Sequence, residues 1–349
     1  MDSSPMNRKS AGRGLAFVQF ADTVTSRFAK KGVGMGNRLN PDDLPVADGR
    51  VYHLDLAPEE LARHVIVVGD PDRVPVLAEA FLATREVDRF HRGFRTITGV
   101  TAETGQRVSF VTSGIGAPST EIVLNELAAL NEVDFTTMTR REQWQPLTLV
   151  RLGTSGGLNP ATPVGTLVLT DYVVGLDNTA LYYDIPLPDE ACALLEERVR
   201  SIMTGAELPG ARFAGRIAPY AARSDRGLLA SLTAAAGTLG LPWIRGLTIS
   251  SAGFFAEQGR GVARVGTTHV NLLDALEHLA SPWPGFELQN MEMEAGFFLH
   301  FLGGLGYRAA AVCVVINQRT SGVFMADYRR QVLDGARLIL RAFKECETV

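Results

Sequence analysis

The chain has 349 residues, 46% apolar and 21% charged, which allows a large core and excludes wholesale disorder. Its 34 Lys and Arg against 38 Asp and Glu leave a net charge of -4, which argues against a nucleic-acid-binding surface as the main function. No apolar run approaches the ~20 residues that span a bilayer, and Cys192, Cys313 and Cys346 lie far apart without a CxxC pair, so a reducing compartment fits better than a disulfide framework or a zinc site.

Residues 1–48 read as a basic N-terminal extension and residues 49–349 as one domain. Arg8, Lys9, Arg13, Arg27, Lys30 and Lys31 face only Asp2 and Asp22, and Gly14 to Lys31 is weakly amphipathic. Two readings fit, an organellar leader or a basic extension packing on the domain. The second, with a cytoplasmic location, is the expectation.

Val65 to Val68 is a buried-strand run that ends in Gly69-Asp-Pro-Asp-Arg73. Val108 to Val111 leads into Thr112-Ser-Gly-Ile-Gly116. The spacing of Ile122, Leu124, Leu127 and Leu130 then predicts a helix from Ser119 to Asn131, with Ser119 as cap and Glu121 and Glu126 as added negative charge. Leu147 to Val150 predicts a strand that ends at Arg151 and turns through Gly153-Thr-Ser-Gly-Gly157. Strands follow at Leu167 to Leu169 and Ala309 to Ile316, and helices at Glu190 to Met203, Ala295 to Leu302 and Ala326 to Cys346. Stretches 132–146 and 184–225 read as surface insertions. Strands alternating with helices imply a largely parallel sheet covered on both faces. Two strand ends that each carry Gly and Arg suggest one oxyanion pocket at the carboxyl edge of that sheet.

Familiar signatures are missing: there is no P-loop, GxGxxG, HExxH or GxSxG. The motifs that are present run in a telling order. His53, Gly69-Asp-Pro-Asp-Arg73, His91-Arg-Gly-Phe94, Ser113-Gly-Ile-Gly116, Arg151-Leu-Gly-Thr-Ser-Gly156, Phe254-Phe-Ala-Glu-Gln-Gly-Arg260 and Asn290-Met-Glu-Met-Glu294 together resemble the uridine phosphorylases of the first nucleoside phosphorylase family. The resemblance covers residue 50 or so to the C-terminus.

That resemblance implies an α/β single domain with a central mixed, partly barrel-like sheet flanked by helices. It implies cleavage of a nucleoside by inorganic phosphate, a co-substrate, to give a free base and ribose 1-phosphate in nucleoside salvage. Phosphate would be held by Gly69, Arg73, Arg151 and Thr154, with Arg92 coming from a neighbouring subunit. Ribose would lie against Met293, Glu292 and Glu294, with the neighbour's His53 at its 5′-hydroxyl. Uracil would be read by Gln258 and Arg260, stacked on Phe254, with Arg319 nearby. Arg73, Arg92, Arg151, Thr154 and Glu294 form the implied catalytic set. Removing Arg151 is expected to abolish turnover and leave the fold intact. His64, His269, His278 and His300 have no motif context and read as structural. No metal or organic cofactor is expected, since three guanidinium groups already supply positive charge. The shared site makes the chain at least a homodimer, with no nucleic-acid or membrane partner.

Two departures stand out. In bacterial uridine phosphorylases a Glu directly after the arginine of the His-Arg motif holds a monovalent cation between subunits. Here Gly93 stands there, although Ile115 and Ser119 remain, which puts the interface cation in doubt. Asn317 replaces an apolar residue that flanks the base. A phosphorylase for another base (a purine or thymidine), a nucleosidase on the same fold and a non-catalytic nucleoside-binding protein remain as alternatives.

Overall fold

The computed structural model describes residues 38–277, 279 and 286–346. The basic stretch up to residue 31 and His278 lie outside them. One sheet of eleven strands carries the molecule. Its strands are β1 (His64–Val68), β2 (Leu82–His91), β3 (Phe94–Thr101), β4 (Arg107–Thr112), β5 (Thr148–Gly157), β6 (Leu167–Gly175), β7 (Tyr220–Arg223), β8 (Trp243–Ser250), β9 (Leu288–Glu292), β10 (Arg308–Gln318) and β11 (Val323–Phe324). The helices are α1 (Arg73–Phe81), α2 (Ala117–Glu132), α3 (Glu190–Gly205), α4 (Arg226–Leu239), α5 (Leu272–Glu277), α6 (Ala295–Gly304) and α7 (Arg329–Cys346).

Strand order is β11-β10-β6-β8-β9-β5-β1-β4-β3-β2, with β7 on β6. Because β10 also pairs along β5, the strands β10, β6, β8, β9 and β5 close into a five-stranded, barrel-like ring. Strands β1, β4, β3 and β2 spread from β5 as an open wing, while β7 adds to β6 and β11 to β10. Parallel pairs join β1 to β4 and to β5, while the β2–β3 hairpin is antiparallel. The sheet is mixed, as the family resemblance implies.

Apolar side chains fill both faces. Val123, Leu124, Leu127 and Leu130 of α2 meet Phe297, Phe298 and Phe301 of α6 on one side. Val74 and Leu77 of α1, Leu228 and Leu232 of α4, and Ile339 and Phe343 of α7 cover the other. The strands between are buried on both sides, so β1 is buried throughout and reads from Val65 to Val68 as an unbroken apolar run.

Four local expectations need correction. First, β5 does not stop at Arg151 but stays extended to Gly157, because β10 ladders beside it from Arg308↔Thr148 to Gln318↔Gly157. Second, Ser119 does not cap α2. Gly116 (φ 89°) occupies the cap, and Ser119 Oγ donates back to Ser113 O at 2.6 Å. Third, Glu126 adds its negative charge not along an open helix but beneath the chain at residues 53 and 54, where it is buried. Fourth, the stretch 184–225 is not a surface appendage. Its helix α3 buries Cys192, Leu195, Val199 and Met203, and β7 joins the sheet. The other stretch, 132–146, forms a small ladder pairing Val133 with Arg140 and an exposed loop.

Candidate active site

The site grows from a fork in the sheet. Along one edge of β5, residues 148–151 pair with β1 and residues 156–157 pair with β9, leaving 152–155 between the two ladders. Strand β9 ends at Glu292, so Met293 and Glu294 enter that gap. Strands β1 and β4 end level with it, since Val67 is opposite Arg151 and Val68 opposite Thr112. The loops beginning at Gly69 and Ser113 therefore meet there, and a β-carbon on Gly69 would lie 3.3 Å from Gly114 O. Because β9 runs antiparallel to β5 and β1 runs parallel to it, the carboxyl ends of β9 and β1 face each other across the gap and leave a crevice between them.

Arg151 is the centre of this crevice and is 4% exposed. Its Nε donates to Glu292 Oε2 at 3.1 Å and its Nη2 donates to Glu294 Oε2. Nη1 is buried without a hydrogen-bond partner. Burial opposes the charge on Arg151, but Glu294 and then Glu292 outweigh it and hold the guanidinium firmly protonated. Glu294 also accepts the Gly116 N–H at 2.6 Å. Burial raises its pKa above the ordinary carboxylate range. Arg151 opposes that rise, Glu292 adds to it, and the Gly116 amide and Arg73 pull it back down. Arg73 thus acts on the same carboxylate as Arg151, from the first turn of α1. Its guanidinium lies 5.5 Å from the centre of the Tyr328 ring, and Nη2 donates to Tyr328 Oη at 3.4 Å.

Glu292 lies against Arg151 and the start of α6. Both its oxygens accept the Ala295 N–H, at 3.0 and 2.9 Å, and Oε2 also accepts from Glu294 N and Arg151 Nε. It ties the arginine to the start of α6. Met293 and Thr154 are half-buried at the fork.

The base-end residues also converge. Gln258 is 6% exposed, and its Nε2 donates to Ser251 Oγ (2.9 Å) and Gly253 O (3.1 Å). Its Oε1 accepts from Arg260 Nη1 at 2.7 Å. Arg260 lies 3.9 Å over the Phe254 ring, and Arg319 Nη2 donates to Gln258 O at 3.1 Å. Ser251 N donates to Glu292 O at 2.8 Å, joining this cluster to the arginine end.

Arg92 and His53 form a separate, outward-facing group. Arg92 (φ 52°) and Gly93 (φ 87°) make the two-residue turn of the β2–β3 hairpin, a left-handed pair that a side chain other than glycine adopts at a cost. The Arg92 guanidinium is exposed and lies 5.1 Å from the centre of the Tyr52 ring. His53 hydrogen-bonds through Nδ1 to Glu126 Oε1 at 2.7 Å, and Glu126 also accepts the amides of His53 and Leu54, each at 2.8 Å. Glu126 has a weak sequence signal, an acid among the core positions of α2. Tyr328 and Ser251 have none.

Comparison with known proteins agrees with this geometry. Residues 63–344 match the Phosphorylase superfamily. The chain belongs to that family. It is 29% identical over 279 residues to the uridine phosphorylase of Thermococcus kodakarensis, covering 79% of this chain and 80% of that protein. It is 29% identical over 272 residues to the uridine phosphorylase of Escherichia coli, covering 77% and 87%. Among solved structures, a Trypanosoma brucei nucleoside phosphorylase that shows uridine phosphorylase activity matches with a TM-score of 0.77 and 27% identity, over 88% of this chain and all of that one.

Proposed function

We propose that this family member is a uridine phosphorylase, a pentosyltransferase that converts uridine and phosphate to uracil and ribose 1-phosphate. One observation carries the reading: a buried arginine fixed by two carboxylates keeps a buried N–H without a partner, beside a second arginine, at the fork of the sheet. Such a group is preorganised for an oxyanion.

In this scheme Arg151, Arg73, Thr154 and the amide at Gly69 hold phosphate with one oxygen aimed at the anomeric carbon. That oxygen bonds to carbon as the glycosidic C–N bond breaks, and the bonding pair leaves with the base. Glu294 and Met293 fix the ribose, and the Glu294 carboxylate favours positive character at the sugar. Arg260, Gln258 and Phe254 hold the base and offset its negative charge as it leaves. Glu292 keeps Arg151 aimed.

Charge supports a second copy. Arg73 and Arg151 are already balanced by Glu292 and Glu294, and a phosphate dianion adds more negative charge. The exposed Arg92 on its hairpin tip fits as the third guanidinium, donated to the neighbouring subunit with His53, so the working unit is a homodimer or a multiple of it. The arginines leave no need for a metal. Three free cysteines fit a cytoplasmic enzyme of pyrimidine salvage, and no described helix is long and apolar enough to cross a membrane.

The deciding measurement incubates the protein with uridine or inosine, with and without phosphate. Uracil and ribose 1-phosphate should form from uridine only when phosphate is present. Release of free ribose without phosphate would make it a nucleosidase, and a preference for inosine would make it a purine enzyme.

A further inference from the structure

Arg73 and Arg151 are held in different ways. Arg151 is clamped by two buried carboxylates, whereas Arg73 has its ion pair with Asp70, an exposed side chain 3.8 Å from Nε. That distance is too long for a hydrogen bond, and exposed pairs fix geometry weakly. The Arg73 guanidinium turns instead to Tyr328: Nη2 donates to Oη at 3.4 Å, and the guanidinium carbon lies 5.5 Å from the ring centroid. Tyr328 is itself anchored. It is half-buried and packs on the core cluster that holds Val74 and Leu77 of α1 and Ile339 and Phe343 of α7. Its carbonyl accepts the Val332 N–H at 3.1 Å, which joins it to the first turn of α7. The segment that delivers Tyr328 starts at the other end of the site. Arg319 Nη2 donates to Gln258 O at 3.1 Å, β11 turns back on β10 through Asn317↔Phe324, and Met325 N donates to Ile316 O at 2.7 Å.

An arginine side chain has many rotamers, and a ligand that must order it loses affinity to that ordering. A partner that fixes the side chain beforehand removes the loss. Tyr328 does so in two ways, since its hydroxyl directs the guanidinium and its ring face attracts the cation. A phenol also differs from a carboxylate: it holds the arginine without cancelling its charge, which stays available to an anion. That charge is felt at Glu294, so Arg73 acts on the fork. We propose that Tyr328 is a positioning residue for phosphate, which aims Arg73 into the fork and so sets the affinity for the inorganic co-substrate and not for the nucleoside. This inference rests on the phosphate-dependent reaction proposed above and names what holds its second arginine.

The test is steady-state phosphorolysis of uridine by the wild type, Tyr328→Phe and Tyr328→Leu, with each substitution also combined with Arg73→Ala. Tyr328→Phe keeps the ring and loses the hydroxyl, and should raise the KM for phosphate roughly 2- to 5-fold. Tyr328→Leu loses both and should raise it roughly 10-fold or more. The KM for uridine should stay within about twofold in both variants. Combined with Arg73→Ala, Tyr328→Leu should add no more than about twofold, because the arginine that it aims is gone. If the Leu variant misfolds, the Phe variant carries the same comparison at smaller amplitude. Calorimetric titration with inorganic phosphate reads the same cycle if Arg73→Ala turns over too slowly. A parallel rise in both KM values overturns the inference, since it marks a structural role. An effect undiminished in the Arg73→Ala background also overturns it, since it marks support of the fold or direct contact with phosphate. A wild type without phosphate-dependent turnover overturns the reading above and this inference with it. An active wild type whose Tyr328 variants keep a normal phosphate KM overturns this inference alone.

Discussion

Arg151 does two jobs, and they pull its mutational consequences in different directions from those expected of a surface anion-binding arginine. It is the counter-charge for Glu292 and Glu294, both 4% exposed. Arg151→Ala should therefore reduce phosphorolysis by several hundred-fold or more and also lower unfolding free energy by about 3–5 kcal/mol, the cost of leaving buried carboxylates unpaired. This replaces the sequence-based expectation that the fold would be untouched. Adding Glu292→Gln to Arg151→Ala should recover part of the stability and none of the rate. Urea titration alongside the phosphorolysis assay measures both, and an Ala variant as stable as wild type would remove the ion triad from the account. The residue types of this site were legible in the sequence, because Gly, Arg and Thr at strand ends announce oxyanion chemistry. The pairing of Arg151 with acids 141 and 143 positions away was not. Opposite charges on separate elements leave no periodic trace, so only the fold brings them together. The burial of Glu126 was not legible for a related reason: its backbone partners at residues 53 and 54 lie on a separate segment.

The loop that carries Phe254, Gln258 and Arg260 is organised by Glu257, which stands within the quoted motif but had no role assigned to it. Glu257 accepts the Gly253 N–H at 2.7 Å. Burial pushes its pKa up to about 7, the Ala252 and Gly253 amides oppose that rise, and Asp177 adds to it. Tyr220, whose hydroxyl donates to Asp177, faces the same group. The sign follows from proton counts. Between the ordinary carboxylate range and pH 7 the folded protein keeps a proton on Glu257 that the unfolded chain has released, so stability falls as pH rises through that window and levels above it. The amplitude is roughly 1–3 kcal/mol, allowing for partial exposure. Glu257→Gln keeps an acceptor for Gly253 and removes the titration. The difference in melting temperature between variant and wild type should favour the variant increasingly from pH 5 to pH 8. A constant difference across that range would show that Glu257 does not titrate there. Elements of this kind divide sharply in legibility. Strands β1, β4 and β10 were plain from unbroken apolar runs. The extension of β5 through Gly153-Thr-Ser-Gly-Gly157 was not, since those residues look like a turn and are held extended only by β10.

The whole fold separates the groups proposed as catalytic into two sets that face different ways. Arg73, Arg151, Glu292 and Glu294 line the fork where β5 changes neighbours, whereas Arg92 stands on the tip of the β2–β3 hairpin at the far edge of the open wing. The hairpin displays Phe90, 65% exposed, near its tip, and Ile115, 75% exposed, follows the Gly114 loop against which Phe94 packs. Among the described residues, this arginine at positive φ on an exposed apolar hairpin has Tyr52 as its side-chain partner. In the proposed two-fold dimer the same hairpin would carry Arg92 into the partner's fork, and the partner's hairpin would return the contribution. Mixing two inactive variants distinguishes this from action within one chain. Dimers of Arg92→Ala and dimers of Arg151→Ala each lack one guanidinium at every site. In a mixed dimer, one site combines a native Arg151 with a native Arg92 from the other chain, and the second site lacks both. After unfolding and refolding an equimolar mixture, half the dimers are mixed and each holds one intact site of two, so activity should return to about one quarter of wild type. Co-expression of the two variants gives the same mixture where refolding is poor. If Arg92 served its own chain, every mixed site would still lack one of the two residues, and the mixture would stay as inactive as its components.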